Sequence, residues 1–235
     1  MPTRSLILSS TVKAACAAAL VAALIAADLV QAAPAAGDAW VYRMVNAYSK
    51  EPMGNVRYEV VQAAPDRVVL QVTPDRAAAG AQRTEIHTPQ GNWLRGPLES
   101  HGVPVEYVFA TAYPAYVFPL EPGKRWSERV GATVAAPAGA RSVRVDGQVL
   151  GTERIRVPAG EFDTVKVRRL VYAGDSDFRN TETNITEIDW YAPALGRPVR
   201  TERRSRWVDT GNCPEMSDCT ARGDWSVLEL VTPAR

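Results

Sequence analysis

Ala140-Arg-Ser-Val-Arg-Val-Asp-Gly-Gln-Val149 is the stretch on which the fold class turns. Val143, Val145 and Val149 fall on one face and Ser142, Arg144, Asp146 and Gln148 on the other, the period of two of a half-buried strand. Runs of the same kind recur on both sides and predict strands over 39–48, 55–63, 67–74, 82–88, 91–95, 125–134, 141–149, 152–157, 161–173, 181–192, 197–209 and 223–232. Between them, Ala64-Pro-Asp-Arg67, Pro89-Gln-Gly91, Val157-Pro-Ala-Gly-Glu161 and Ala192-Pro-Ala-Leu-Gly196 supply the proline or glycine that tight reversals need. No segment beyond residue 33 sustains a 3.6-residue period. The expected architecture is therefore all-β: one large, twisted, antiparallel sheet rolled into a half-open barrel or clam over 33–235, with room for two lobes joined near 97–122.

The hairpin around Gly196 carries the densest charge. Pairing its strands so that residue numbers sum to an odd value puts Ile188 and Trp190 with Val199 and Thr201 on one face. Glu187 and Asp189 then lie beside Arg200, Glu202 and Arg204 on the other. Arg197, Arg200, Arg203, Arg204 and Arg206 form a basic cluster, but alternation and nearby carboxylates favour a solvated strand face over a phosphate or nucleic-acid site. Arg203 is the exception, because it shares a face with Val199 and Trp207. There it is either a buried ion-pair residue or a polar contact inside a cleft.

A different texture runs from Pro97 to Pro122. Tyr107, Phe109, Tyr113, Tyr116 and Phe118 are interrupted by Gly102, Pro104, Pro114 and Pro119, more aromatic than a surface loop needs. Two readings stay open, a lid or cleft lining for an apolar ligand and a crossover that covers the core, and the second is the more ordinary. These five aromatics and Arg203 are the candidate ligand-binding residues. Gly37-x-x-Trp40-x-x-Arg43 also recurs as Gly123-x-x-Trp126-x-x-Arg129, a weak internal echo.

The ends and the composition speak to compartment. Arg4 and Lys13 precede an apolar stretch, Ala14 to Ala27, too short to span a bilayer, and small residues follow around Ala32. The pattern predicts a bacterial secretory signal over 1–32, leaving an exported chain, periplasmic or secreted, with no second stretch of membrane-spanning length. Removing Arg4, Lys13 and Asp28 from 27 basic and 26 acidic residues leaves 25 of each, so net charge draws the chain to neither nucleic acid nor anionic membrane. Cys16 lies in the signal. Cys213 and Cys219 sit in a turn-rich stretch and are expected to form a disulfide in an oxidising compartment. A zinc site would need more ligands than His87 and His101 supply.

Three motifs carry a resemblance. Phe118-Pro-Leu-x-x-Gly-Lys-x-Trp126, Val157-Pro-Ala-Gly-x-Phe162 with Val165-Lys-Val, and Trp190-Tyr-Ala-Pro-x-x-Gly-x-x-Val199-Arg resemble uncharacterised bacterial exported domains. Those domains are held to have an open β-barrel or β-clam akin to the LolA and LolB lipoprotein carriers. The resemblance implies a fold and a compartment and carries over no site residues.

The parts of a catalytic site are sparse. There is no G-x-S-x-G elbow, both remaining cysteines are expected to pair, and His87 reads as a cross-strand surface residue. His101, in Ser100-His-Gly102, is the better general-base candidate. Asp175-x-Asp177-x-x-Asn180 resembles part of a calcium loop but lacks its glycine and terminal glutamate, so it reads as a solvated turn. No metal or cofactor is expected. Two function classes follow. One is a non-enzymatic exported protein whose concave sheet binds a lipid or other apolar molecule, or an envelope protein. The other is a secreted hydrolase using His101 with a carboxylate.

Overall fold

Val143, Val145 and Val149 are fully buried and point inward, while Ser142, Arg144, Asp146 and Gln148 point outward. The same alternation organises the whole chain. The computed structural model describes residues 34–135, 138–174, 181–211, 213 and 218–232. The expected signal segment and the Asp175 to Asn180 turn lie outside these residues.

Twelve strands follow one another around the sheet: β1 (Ala39–Asn46), β2 (Pro52–Ala63), β3 (Val68–Pro74), β4 (Arg83–His87), β5 (Trp93–Ser100), β6 (Val103–Phe109), β7 (Arg125–Ala135), β8 (Ala138–Val157), β9 (Gly160–Ala173), β10 (Thr183–Ala192), β11 (Arg197–Val208) and β12 (Thr220–Thr232). Each pairs antiparallel with the next, and β1 pairs with β12, so the expected sheet closes into a barrel. The two Gly-x-x-Trp-x-x-Arg stretches open β1 and β7, on opposite sides of the ring.

Two elements differ from the sequence reading. The first part of the aromatic segment is not a crossover: 97–109 completes β5 and forms β6. Their two-residue turn is His101 (φ 49°) and Gly102 (φ 80°), both left-handed, as a primed hairpin turn requires. The expected strands at 141–149 and 152–157 are one long strand, β8, with a bulge between Val149 and Gly151. At its far end the β8–β9 hairpin reaches β12, where Ala159 N donates to Leu230 O.

The hairpin of β10 and β11 corrects a face. Asp189 pairs with Thr201 and Glu187 with Arg203, while Trp190 pairs with Arg200; the register shifts only beyond Trp190, beside the turn. The odd-numbered residues of β11 face inward as expected, but those of β10 do so as well. Glu187 and Asp189 are therefore interior, and Ile188 and Trp190 lie on the outer wall. Trp190 is still buried. The Lys166 ammonium and the Arg200 guanidinium lie over its ring, and its indole N–H donates to Glu153.

A ring of about eight strands is just wide enough for side chains to fill, so twelve leave space over. Within the connection 110–122, residues 113–116 turn into this barrel and are buried there. Tyr113 and Tyr116 are buried against Val130, Val143, Val167 and Ile185 from β7 to β10. Trp126 lies over Gly147, its partner on β8, so closely that a Cβ there would stand 1.9 Å from the indole; only glycine fits. The outer wall is polar, with Arg43 paired to Glu229 (2.7 Å) and Ser127 bonded to Asp146 (2.7 Å) across neighbouring strands. Cys213 and Cys219 are joined by a disulfide in the β11–β12 connection, as expected. A loop that short is worth about 2 kcal/mol in the chain-entropy account.

Candidate functional site

Beside the inserted segment lies a cavity of about 630 Å3, bounded by β1–β6 on one side and β9–β12 on the other. Its lining is mixed. Tyr42, Met44, Val56 and Leu98 supply apolar surface, and Arg83, Glu85, Glu99, Arg169, Glu187, Asp189, Arg197 and Arg203 place ionisable groups inside the barrel.

The charges are organised around Arg169, on β9 between Val167 and Val171. Its Nε donates to Glu187 Oε2 (3.0 Å), one terminal nitrogen donates to Asp189 Oδ2 (2.7 Å), and the other donates to the carbonyl of Ala115 (3.3 Å). All three side chains are about 95% buried. Two tyrosines of the inserted segment complete the cluster: Tyr116 OH donates to Asp189 Oδ2 (2.5 Å) and Tyr113 OH to Glu187 Oε2 (3.4 Å). Thr201 donates to the second Asp189 oxygen (2.7 Å). Burial alone would weaken the Arg169 cation, but the adjacent Asp189 and Glu187 charges hold its pKa well above the ordinary value. Burial, together with Asp189 and Glu187, pushes the Tyr116 and Tyr113 phenols well above 10.0, so both remain donors. The cluster is what fastens the inserted segment to the wall, with help from Asn92, which exchanges two bonds with the Tyr116 backbone, and from Trp126, bonded to Pro114 O.

A second interior cluster lies on β4. Arg83, Glu85 and His87 share one face, and it points inward, which corrects the surface reading of His87. Glu85 accepts from Arg83 (2.8 Å) and contacts His87 Nε2 (3.0 Å). Arg83 also reaches Tyr58 OH (3.5 Å), whose pKa burial and the Glu85 charge push up to about 12. Burial would raise Glu85 itself, but the His87 hydrogen bond and the Arg83 charge together hold its carboxyl below the usual 4.5. A carboxyl with a depressed folded-state pKa contributes stability above its unfolded pKa and loses it as pH falls through the folded value. Urea titrations are thus expected to show wild type more stable than Glu85→Gln at neutral pH, with the gap closing below about pH 4.5. A gap that does not change with pH would rule out the ionised, paired state.

Of the residues expected to bind ligand, Tyr113, Tyr116 and Arg203 border the cavity. Tyr107 and Phe109 are buried in β6, stacked on each other and outside its lining, and Phe118 lies 39% exposed against Tyr116 and Tyr191. Arg203 has Nε 3.4 Å from Glu187 Oε1 and a place on the cavity wall. The basic cluster divides. Arg204 and Arg206 are solvated as expected, whereas Arg197 is interior, stacked at 3.2 Å on Trp40. His101 meets no carboxylate among the described residues: Nε2 lies 2.7 Å from Thr181 O, and its ring stands edge-on to Trp207.

The wall beside the cavity is thinly sewn in one place. β4 and β5 pair only at Ile86 with Arg95 and His87 with Trp93, and beyond them the Ala77 to Ala81 loop and Gly96 to Glu99 both border the cavity.

No protein-family model matches the sequence, and no curated protein matches it. Similar solved structures include a chain from Parabacteroides distasonis provisionally described as a lipoprotein, 16% identical over 86% of this chain and 96% of that one, with a TM-score of 0.48. A Bacteroides fragilis chain, provisionally described as an exported protein with a YmcC-like fold, is 16% identical over 86% and 96%, TM-score 0.46. The hypothetical lipoprotein YmcC of Escherichia coli is 12% identical over 93% and 94%, TM-score 0.45. None of the three is named as a LolA or LolB carrier, and none brings a residue role to this chain.

Proposed function

We propose that this protein is an exported, non-enzymatic binding protein that holds an apolar molecule inside its barrel. The observation that carries the reading is the 630 Å3 interior cavity, within the roughly 300–1,000 Å3 of small-molecule sites. An apolar guest suits Tyr42, Met44, Val56 and Leu98. The ring closes through β1 and β12, so a protein segment has no edge strand to extend, which favours a small molecule over an envelope protein. Access runs through the short β4–β5 seam. The charged outer wall suits water, since arginines on a lipid-facing strand cost about 2–4 kcal/mol each at mid-bilayer. Export rests on the N-terminal pattern and agrees with the disulfide. Among the described residues His101 meets no carboxylate that would complete a hydrolytic pair.

Met44 lines the cavity and is only partly buried, so Met44→Trp should fill space without breaking the ring. Wild type is expected to take up a fluorescent fatty acyl probe at micromolar concentration. The variant should bind about tenfold less or weaker still, with a Tm within about 4 °C of wild type. A wild type that takes up no probe, or a folded variant that takes it up equally, would contradict the reading.

A further inference from the structure

Three of the four interior arginines have carboxylates. Arg83 is 2.8 Å from Glu85, Arg169 is 2.7 Å from Asp189 and 3.0 Å from Glu187, and Arg203 is 3.4 Å from Glu187. Arg197 has none within 4.0 Å among the described residues. Its guanidinium carbon instead stands 3.2 Å from the centroid of the Trp40 ring, with Tyr42, Tyr58, Tyr116 and Tyr191 close enough to act on its charge. One of its terminal nitrogens is buried with no hydrogen-bond partner, and the residue borders the cavity. Burial lowers its pKa, yet a guanidinium stays charged at any working pH, so Arg197 is a cation on an aromatic wall with no carboxylate in contact among the described residues. A guanidinium without its anion leaves strong, directional donors unmet, and a carboxylate or phosphate would meet them.

From this we infer that the guest is a single-chain amphiphile with an anionic head, the head seated on Arg197 and the chain extending along Tyr42, Met44 and Val56. The inference rests on the proposed binding of an apolar molecule and adds the chemistry of its head. Arg203 has a charge partner in Glu187, which Arg197 lacks, so although Nε and one terminal nitrogen of Arg203 are also buried without a hydrogen bond, it is the weaker seat for an anion.

Competition against an uncharged fluorescent dye tests it, with dodecanoate, dodecyl phosphate and dodecanol as competitors. Wild type should bind dodecanoate and dodecyl phosphate about tenfold or more tighter than dodecanol, the reverse of the order that transfer from water alone would produce. Arg197→Met should abolish the preference, Arg197→Lys should keep part of it, Arg203→Met should keep most of it, and Arg168→Met on the outer wall should keep all of it. A wild type that binds dodecanol as well as either anion would overturn the inference and leave the binding reading standing. So would an Arg197→Met variant that retains the preference. Failure of all three competitors to bind would remove the binding reading itself. Preference for only one of the two anions identifies the head group and supports the inference.

Discussion

Arg169→Met is expected to cost the barrel about 3–5 kcal/mol, because it leaves Glu187 and Asp189 as buried carboxylates without the cation that holds them. The neighbouring Arg168→Met is the control. Arg168 points outward, is exposed and bonds only to Gln148 among the described residues, so its loss should cost under about 1 kcal/mol. Urea denaturation of the two variants compares adjacent positions of one strand on opposite faces of one wall. Adding Glu187→Gln and Asp189→Asn to Arg169→Met should recover part of the loss, since the orphaned charges go with their partner. Equal, small costs at 168 and 169 would mean that β9 does not aim Arg169 inward.

Tyr116→Ala should be of similar size, about 3–5 kcal/mol, since it removes a buried ring packed on Tyr191 and the donor to Asp189. Tyr116→Phe separates the two contributions. It keeps the ring and loses only the charge-assisted hydrogen bond, for about 1–3 kcal/mol. Truncating Tyr113 and Tyr116 together should therefore unfold the protein before any change in uptake can be read. Were the inserted segment a loose lid, the double variant would keep its melting temperature and lose uptake instead.

Much of the barrel was legible because strand alternation is a local signal. Val143 to Val149 announces its faces unaided, and Pro158-Ala-Gly160 and Pro193-Ala-Leu-Gly196 mark their turns. β6 was hidden because Pro97, Gly102 and Pro104 read as breakers, while the decisive feature was a two-residue turn at His101 and Gly102 with both φ values positive. The inward face of β10 was ambiguous for a physical reason. Ile185 and Tyr191 lie on one face and Ile188 and Trp190 on the other, so apolar content could not choose between them.

The interior charges were missed by the assumption that charged residues face water. The parity was nevertheless visible. Arg169 shares its face with Val165, Val167 and Val171, and Glu187 and Asp189 share theirs with Ile185 and Tyr191. Residues of opposite charge at matching parity on adjacent strands are the signature of an internal ion cluster. What local sequence does not carry is the width of the ring. Twelve strands enclose more space than their side chains fill, and that surplus turns 110–122 into an insert and leaves a cavity beside it.

The central claim, that an apolar guest resides inside the barrel, is tested most directly by crystallography of the protein bound to dodecanoate brominated at its terminal carbon. The account predicts a bromine anomalous peak within the ring, between Met44 and Val56 on one wall and Leu98 on the other. Bromine found only on the outer wall, or none in the cavity at saturating ligand, would contradict it.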